Sequence, residues 1–115
     1  MIKHSSFNAY SDNNGFIRLN ISTNDTLSID IAKDIIDAYQ ELSEKKPRCI
    51  LIDLRNTKAS VSVEAREYIG KDPTALKWRK AEAIITGSII TKLTANIFLK
   101  YSSPPIPIKP LGFLL

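Results

Sequence analysis

The chain has one cysteine, one histidine and four glycines in 115 residues, and each scarcity removes a class of chemistry. A lone Cys49 cannot close an intrachain disulfide, which points to a reducing compartment. Its place in the apolar run from Arg48 to Leu54 predicts a buried, unreactive thiol. His4 stands near a terminus expected to be mobile, so no metal site and no Ser-His-Asp or Cys-His pair is expected. Gly15, Gly70, Gly87 and Gly112 are too widely spaced for G-x-G-x-x-G or a phosphate-binding loop; turns and helix ends explain them better. No apolar run approaches the ~20 residues that span a bilayer, and the polar start (Lys3, His4, Ser5, Ser6) does not read as a signal peptide. A cytoplasmic protein without cofactor, metal or membrane insertion is therefore expected.

What is present is ordinary for a globular chain: 43% hydrophobic and 24% charged residues, enough for one core and one domain over residues 1–115. Charge is unevenly placed. Residues 1–44 carry three basic and seven acidic side chains, whereas residues 45–115 carry thirteen and five. The basic second half lacks the interleaved aromatics and the motifs of a nucleic-acid reader, so no nucleic-acid partner is expected.

Hydrophobic periodicity sets the element order. Alternating patterns over Ser6–Tyr10 and Gly15–Ile21 flank S-D-N-N-G, whose residues supply turn geometry, and predict a β-hairpin. In its second strand Ile17, Leu19 and Ile21 share the apolar face. Capping residues from Asn24 to Ser28 precede Ile31, Ile35, Ala38, Tyr39 and Leu42 at helical spacing, and this helix is expected to end near Lys45-Lys46-Pro47. The run C-I-L-I-D-L at 49–54 is apolar on both faces, as a central strand is. A helix from Ser62 or Val63 to about Gly70 and a short helical piece from Asp72-Pro73 to Trp78 follow. Ala81–Thr86 reads as a buried strand, and Gly87-Ser88 as the opening of a helix with the stripe Ile89, Leu93, Ile97, Phe98 and Tyr101. Pro104-Pro105 stops that helix, and Ile106–Lys109 suits a last edge strand. The prediction is an α/β fold with a mixed sheet: an N-terminal hairpin, then parallel strands joined by crossover helices.

Two groups of candidate site residues emerge. Asp53 ends the central strand, and Arg55, Asn56, Thr57, Lys58 and Ser60 follow in the loop where open α/β sheets present ligand groups. The plainer alternative is that Asp53 caps locally or pairs with Arg55. Gly87 and Ser88 offer backbone amides at a strand-to-helix junction, where an anion or an ordinary serine cap fits equally. Trp78, Phe98 and Tyr101 fit either an apolar ligand pocket or core packing. Glu64, Arg66 and Glu67 read as a solvated helix face rather than an acid-base set. No nucleophile, base and oxyanion donor come together, so no enzyme is expected.

Taken together, C-I-L-I-D-L-R at 49–55, E-A-R-E-Y at 64–68, the stretch from Ala83 to Lys100 and S-S-P-P-I-P-I-K-P at 102–110 resemble small stand-alone bacterial STAS-like domains, described as SpoIIAA-like or STAS/CRAL-TRIO-like. The resemblance implies a mixed sheet with helices packed against it. It also implies a role like that of anti-sigma-factor antagonists, which bind a kinase-like anti-sigma factor and are switched by phosphorylation of a serine after the central strand. Here that segment reads D-L-R-N-T-K-A-S, without a D-S-S-G motif; only Thr57 and Ser60 offer hydroxyls. Such relatives continue into a final amphipathic helix, whereas this sequence ends L-G-F-L-L, so an apolar sheet face covered by a homodimer or another chain is expected. The leading expectation is a regulatory protein-interaction module. The alternative is a small binding protein for an apolar or anionic ligand.

Overall fold

The computed structural model describes residues 1–87 and 106–111. Its first long strands, β2 (Phe7–Ser11) and β3 (Ile17–Ile21), form the predicted antiparallel hairpin. The turn is built by Asp12, whose Oδ1 accepts the amides of Asn14 at 2.8 Å and Phe16 at 3.0 Å, while Gly15 takes a φ of 80° that favours glycine. Arg18 Nε donates to Asp12 Oδ2 at 3.0 Å, and this bond holds the carboxyl below its usual range.

A short strand not foreseen, β1 (Ile2–Lys3), pairs antiparallel with β2. Two residues carry too little pattern to show in a sequence. The expectation of a mobile His4 is corrected as well: its ring stacks on Phe7 with centroids 4.5 Å apart, and its Nδ1 accepts the Ser6 amide at 3.0 Å. An accepting Nδ1 leaves the proton on Nε2, which lies 2.9 Å from Asp34 Oδ2 and donates to it.

Helix α1 (Ile29–Ser43) is capped by Ser28, whose Oγ accepts the Ile31 amide, and buries Ala32, Ile35, Ile36, Ala38 and Tyr39. It stops at Ser43 because Glu44 and Lys45 turn left-handed, with φ of 53° and 67°. Lys45 and Lys46 therefore lie past the last turn. Strand β4 (Arg48–Leu54) is central as predicted, parallel to β3 on one side and to β5 (Arg79–Thr86) on the other. Between β4 and β5 run α2 (Val63–Lys71), capped by Ser62, and α3 (Pro73–Leu76), capped by Asp72 with proline in its first turn. Strand β6 (Ile108–Leu111) pairs parallel with β5, two residues later than expected. The Pro107 carbonyl still accepts the Glu82 amide at 2.9 Å. Among the described residues six strands lie in the order β1-β2-β3-β4-β5-β6, antiparallel up to β3 and parallel beyond.

Register fixes what each face carries. Ile17 and Leu19 align with Ile50 and Ile52, and Ile50, Ile52 and Leu54 align with Glu82, Ile84 and Thr86, on the face that α1 and α2 cover. Phe7, Ile17, Ile36 and Ile50 are among the most deeply buried side chains. The opposite face is polar on the hairpin, where Asn20 bonds Asn8, and apolar on the parallel strands, through Leu51, Ala83 and Ile85. Cys49 shares that opposite face and is only partly buried, which corrects the expected core position. The helix expected from Gly87-Ser88 onward lies, beyond Gly87, outside the described residues.

Candidate functional site

The loop after β4 is fixed by its own side chains. Asp53 receives three bonds from Arg55: the amide and Nε at 3.0 Å to Oδ1, and Nη2 at 2.7 Å to Oδ2. That pairing is the local alternative weighed for Asp53, and it holds the carboxyl below its ordinary range despite partial desolvation. Thr57 points inward: its Oγ1 donates to the Thr23 carbonyl and accepts the Ala59 amide at 2.9 Å. Asn24 Oδ1 accepts the Lys58 amide at 2.9 Å, Ser60 Oγ lies 2.9 Å from Thr26 Oγ1, and Leu27 pairs with Val61 in a single β-bridge.

The loops after β3 and β4 are thus stitched together at the carboxyl end of the parallel strands. Burial alternates along the segment, with Thr57 and Ala59 inside and Asn56, Lys58 and Ser60 outside. Of the two candidate hydroxyls, Thr57 is buried and Ser60 is exposed. Gly87 reaches the same edge. A Cβ there would lie 3.0 Å from Arg55 Cα, so glycine permits the close approach of the two segments.

The other candidates divide differently. Gly87 follows the last residue of β5 and Trp78 precedes its first, so the two stand at opposite ends of that strand. Trp78 packs against the core, its carbonyl accepts the Arg48 amide, and Lys77 Nζ sits 4.8 Å from its ring centroid. Ser88, Phe98 and Tyr101 lie outside the described residues. Glu67 pairs with Lys71 on the outer side of α2, as a solvated face does.

Sequence reasoning missed a buried ion pair. Arg79 Nε donates to Glu82 Oε1, with the two side chains 0% and 2% exposed. Arg79 Nη1 donates to the carbonyls of Ile69 and Ala75, tying the start of β5 to α2 and α3, while Nη2 has no partner among the described residues. The signal was available: a glutamate inside the apolar A-E-A-I-I-T, with an arginine three residues earlier. Tyr39 lies nearby; burial first, and Glu82 second, push its phenol well above the ordinary value, against the opposing effect of Arg79.

Glu82 and Tyr39 also line a cavity of about 90 Å³ between the helices and the parallel strands. The register places Glu82 at one end, Leu19, Ile52 and Ile84 in the middle, and Leu54 at the other end, where Leu27 and Val61 also contribute. The cavity lies directly beneath the stitched loop.

Comparison with known proteins gives a family and a fold. The family model described as "Domain of unknown function (DUF7793)" matches residues 10–111. No curated protein matches the chain. Among solved structures, an uncharacterized protein of the DUF3478 family with a SpoIIAA-like fold, from Shewanella loihica PV-4, superposes with a TM-score of 0.59. It is 14% identical, and the match covers 98% of this chain and 92% of that one. At that identity the likeness speaks for the fold alone: the sheet with its helices is SpoIIAA-like, as the sequence resemblance implied.

Proposed function

We propose that this chain, which belongs to the DUF7793 family, is a non-enzymatic regulatory domain that docks a protein partner through the loop after β4. The observation that carries the reading is the preorganised edge. Asp53 and Thr57 hold Arg55–Val61 in one conformation, so Asn56, Lys58 and Ser60 project outward with little conformational entropy left to lose on binding. Arg55 is paired with Asp53, and Lys58 faces a loop that carries Asp25, so the charge of this edge is balanced and its outward polar groups suit a partner that reads hydrogen bonds rather than one sign of charge.

The resemblance to anti-sigma-factor antagonists supports a partner of the kinase-like anti-sigma type, met in the cytoplasm. Absence of the D-S-S-G motif moves any hydroxyl switch to Ser60, since Thr57 is turned inward. The half-exposed Leu51, Ala83 and Ile85 on the sheet face away from the helices support a homodimer. Native mass spectrometry of protein purified from its own host is expected to show a dimer, alone or with one further protein chain. A bare monomer at every concentration would contradict the proposal.

A further inference from the structure

Beneath the docking edge the interior is incompletely filled, and the unfilled part is open on one side. Ile52 stands in mid-strand on the face that the helices cover, yet it is only partly buried, whereas Ile17 and Ile50 on the same face are 0% and 2% exposed. Leu54 and Val61 are likewise only partly buried. We infer that this cavity is a binding site for a small apolar molecule, a short alkyl chain or a group of that size, entering at the Leu27 and Val61 end.

Three features support that choice of ligand. The wall is mostly aliphatic, so water inside would find few of the partners that hold a buried water in place. Its volume of about 90 Å³ is well below the ~150 Å³ of a cavity that takes benzene, which favours a short chain over a ring or a whole lipid. At the far end Glu82 is already paired with Arg79, so a polar head would lose its water there without gaining a partner, and a ligand enters with its hydrocarbon end first. The entrance lies where Leu54 and Val61 are only partly buried, beside the bridge between Leu27 and Val61. This inference is independent of the docking proposal: the cavity needs no partner protein, and the edge needs no ligand.

The test uses the full chain with 13C-labelled isoleucine, leucine and valine methyls, under xenon pressure and in a titration with 1-butanol. Saturable shifts at Ile52, Ile84, Leu54 and Val61, with Ile17 and Ile50 unmoved and xenon displaced by butanol, are the expected result. Phosphatidylcholine vesicles separate the sources of an alkyl chain. The same methyls shift if a lipid tail enters, and they stay unchanged if the occupant is a free small molecule. Ile69→Phe, which adds volume from α2, is expected to remove the xenon response while the remaining spectrum stays dispersed; Val61→Ile, which adds one methylene, gives a second, milder filling. No saturable shift, shifts spread evenly over Ile17 and Ile50, or a full response in a folded I69F variant would overturn the inference.

Discussion

The two halves of the sheet are built to different standards. Under α1, strands β2 and β3 bury Phe7, Ala9, Ile17 and Leu19 to 2% exposure or less, and His4 and Asp34 tie the first residues to the helix. Over β4 and β5, α2 is held by α1, by α3 and by Arg79, and the same face contains a cavity and a buried ion pair. The difference teaches where stability and binding reside. The outer hairpin strand, with Phe7 and Ala9, is closed and supports the fold, while the cavity begins at Leu19 and Ile21 of β3 and shares the parallel strands with the ion pair and the stitched loop, where open α/β sheets place their ligands.

The largest expected break in that contrast is Arg79→Met, which leaves Glu82 charged and alone in the interior. It should cost about 3–5 kcal/mol in urea unfolding, and the double variant with Glu82→Leu should recover most of the loss. A full-sized loss in the double variant would show that Arg79 acts mainly through its bonds to α2 and α3. Next comes a paired test on one strand. Ile50→Ala in the closed layer should cost about 4 kcal/mol, and Ile52→Ala beside the cavity about 2 kcal/mol, because Ile52 has fewer packed neighbours to lose. Equal costs would erase the distinction between closed and cavity-lining positions of this face.

Smaller effects follow from titration. The raised phenol of Tyr39 means that the folded state keeps its proton longer than the unfolded chain. Its contribution is therefore complete below the ordinary value of 10.0 and is lost as pH rises above it. Tyr39→Phe should flatten that alkaline loss in thermal melts at a series of pH values. Asp53 has the opposite sign. Its lowered carboxyl stabilises the fold above the ordinary 3.8, and that contribution fades as pH falls through the folded value. Asp53→Asn should flatten the acid limb by less than about 1 kcal/mol, because water reaches Arg55 and screens the pair.

Much of the fold is legible in the sequence, for local reasons. The turn S-D-N-N-G, the stripe from Ile31 to Leu42 and the doubly apolar C-I-L-I-D-L each carry a pattern long enough to identify the element. β1 is too short to do so. The loop from Asp53 to Ser60 is legible as a candidate because it follows the central strand, but the inward turn of Thr57 depends on Thr23, thirty-four residues away. Arg79 and Glu82 announce a buried pair only once Glu82 is known to share the face of Ile84. The cavity has no sequence signature at all, since its wall gathers residues from β3, α1, β4, α2 and β5 that lie far apart along the chain.

Site-specific photo-crosslinking tests the docking edge most directly. A photoreactive amino acid is placed either at position 58, outward on the loop, or at position 64, outward on α2, and the protein is produced in its own host. Position 58 is expected to yield one discrete adduct with another protein that position 64 does not give. Adducts from position 64 alone, or none from position 58, would contradict the assignment of the loop after β4 as the contact surface.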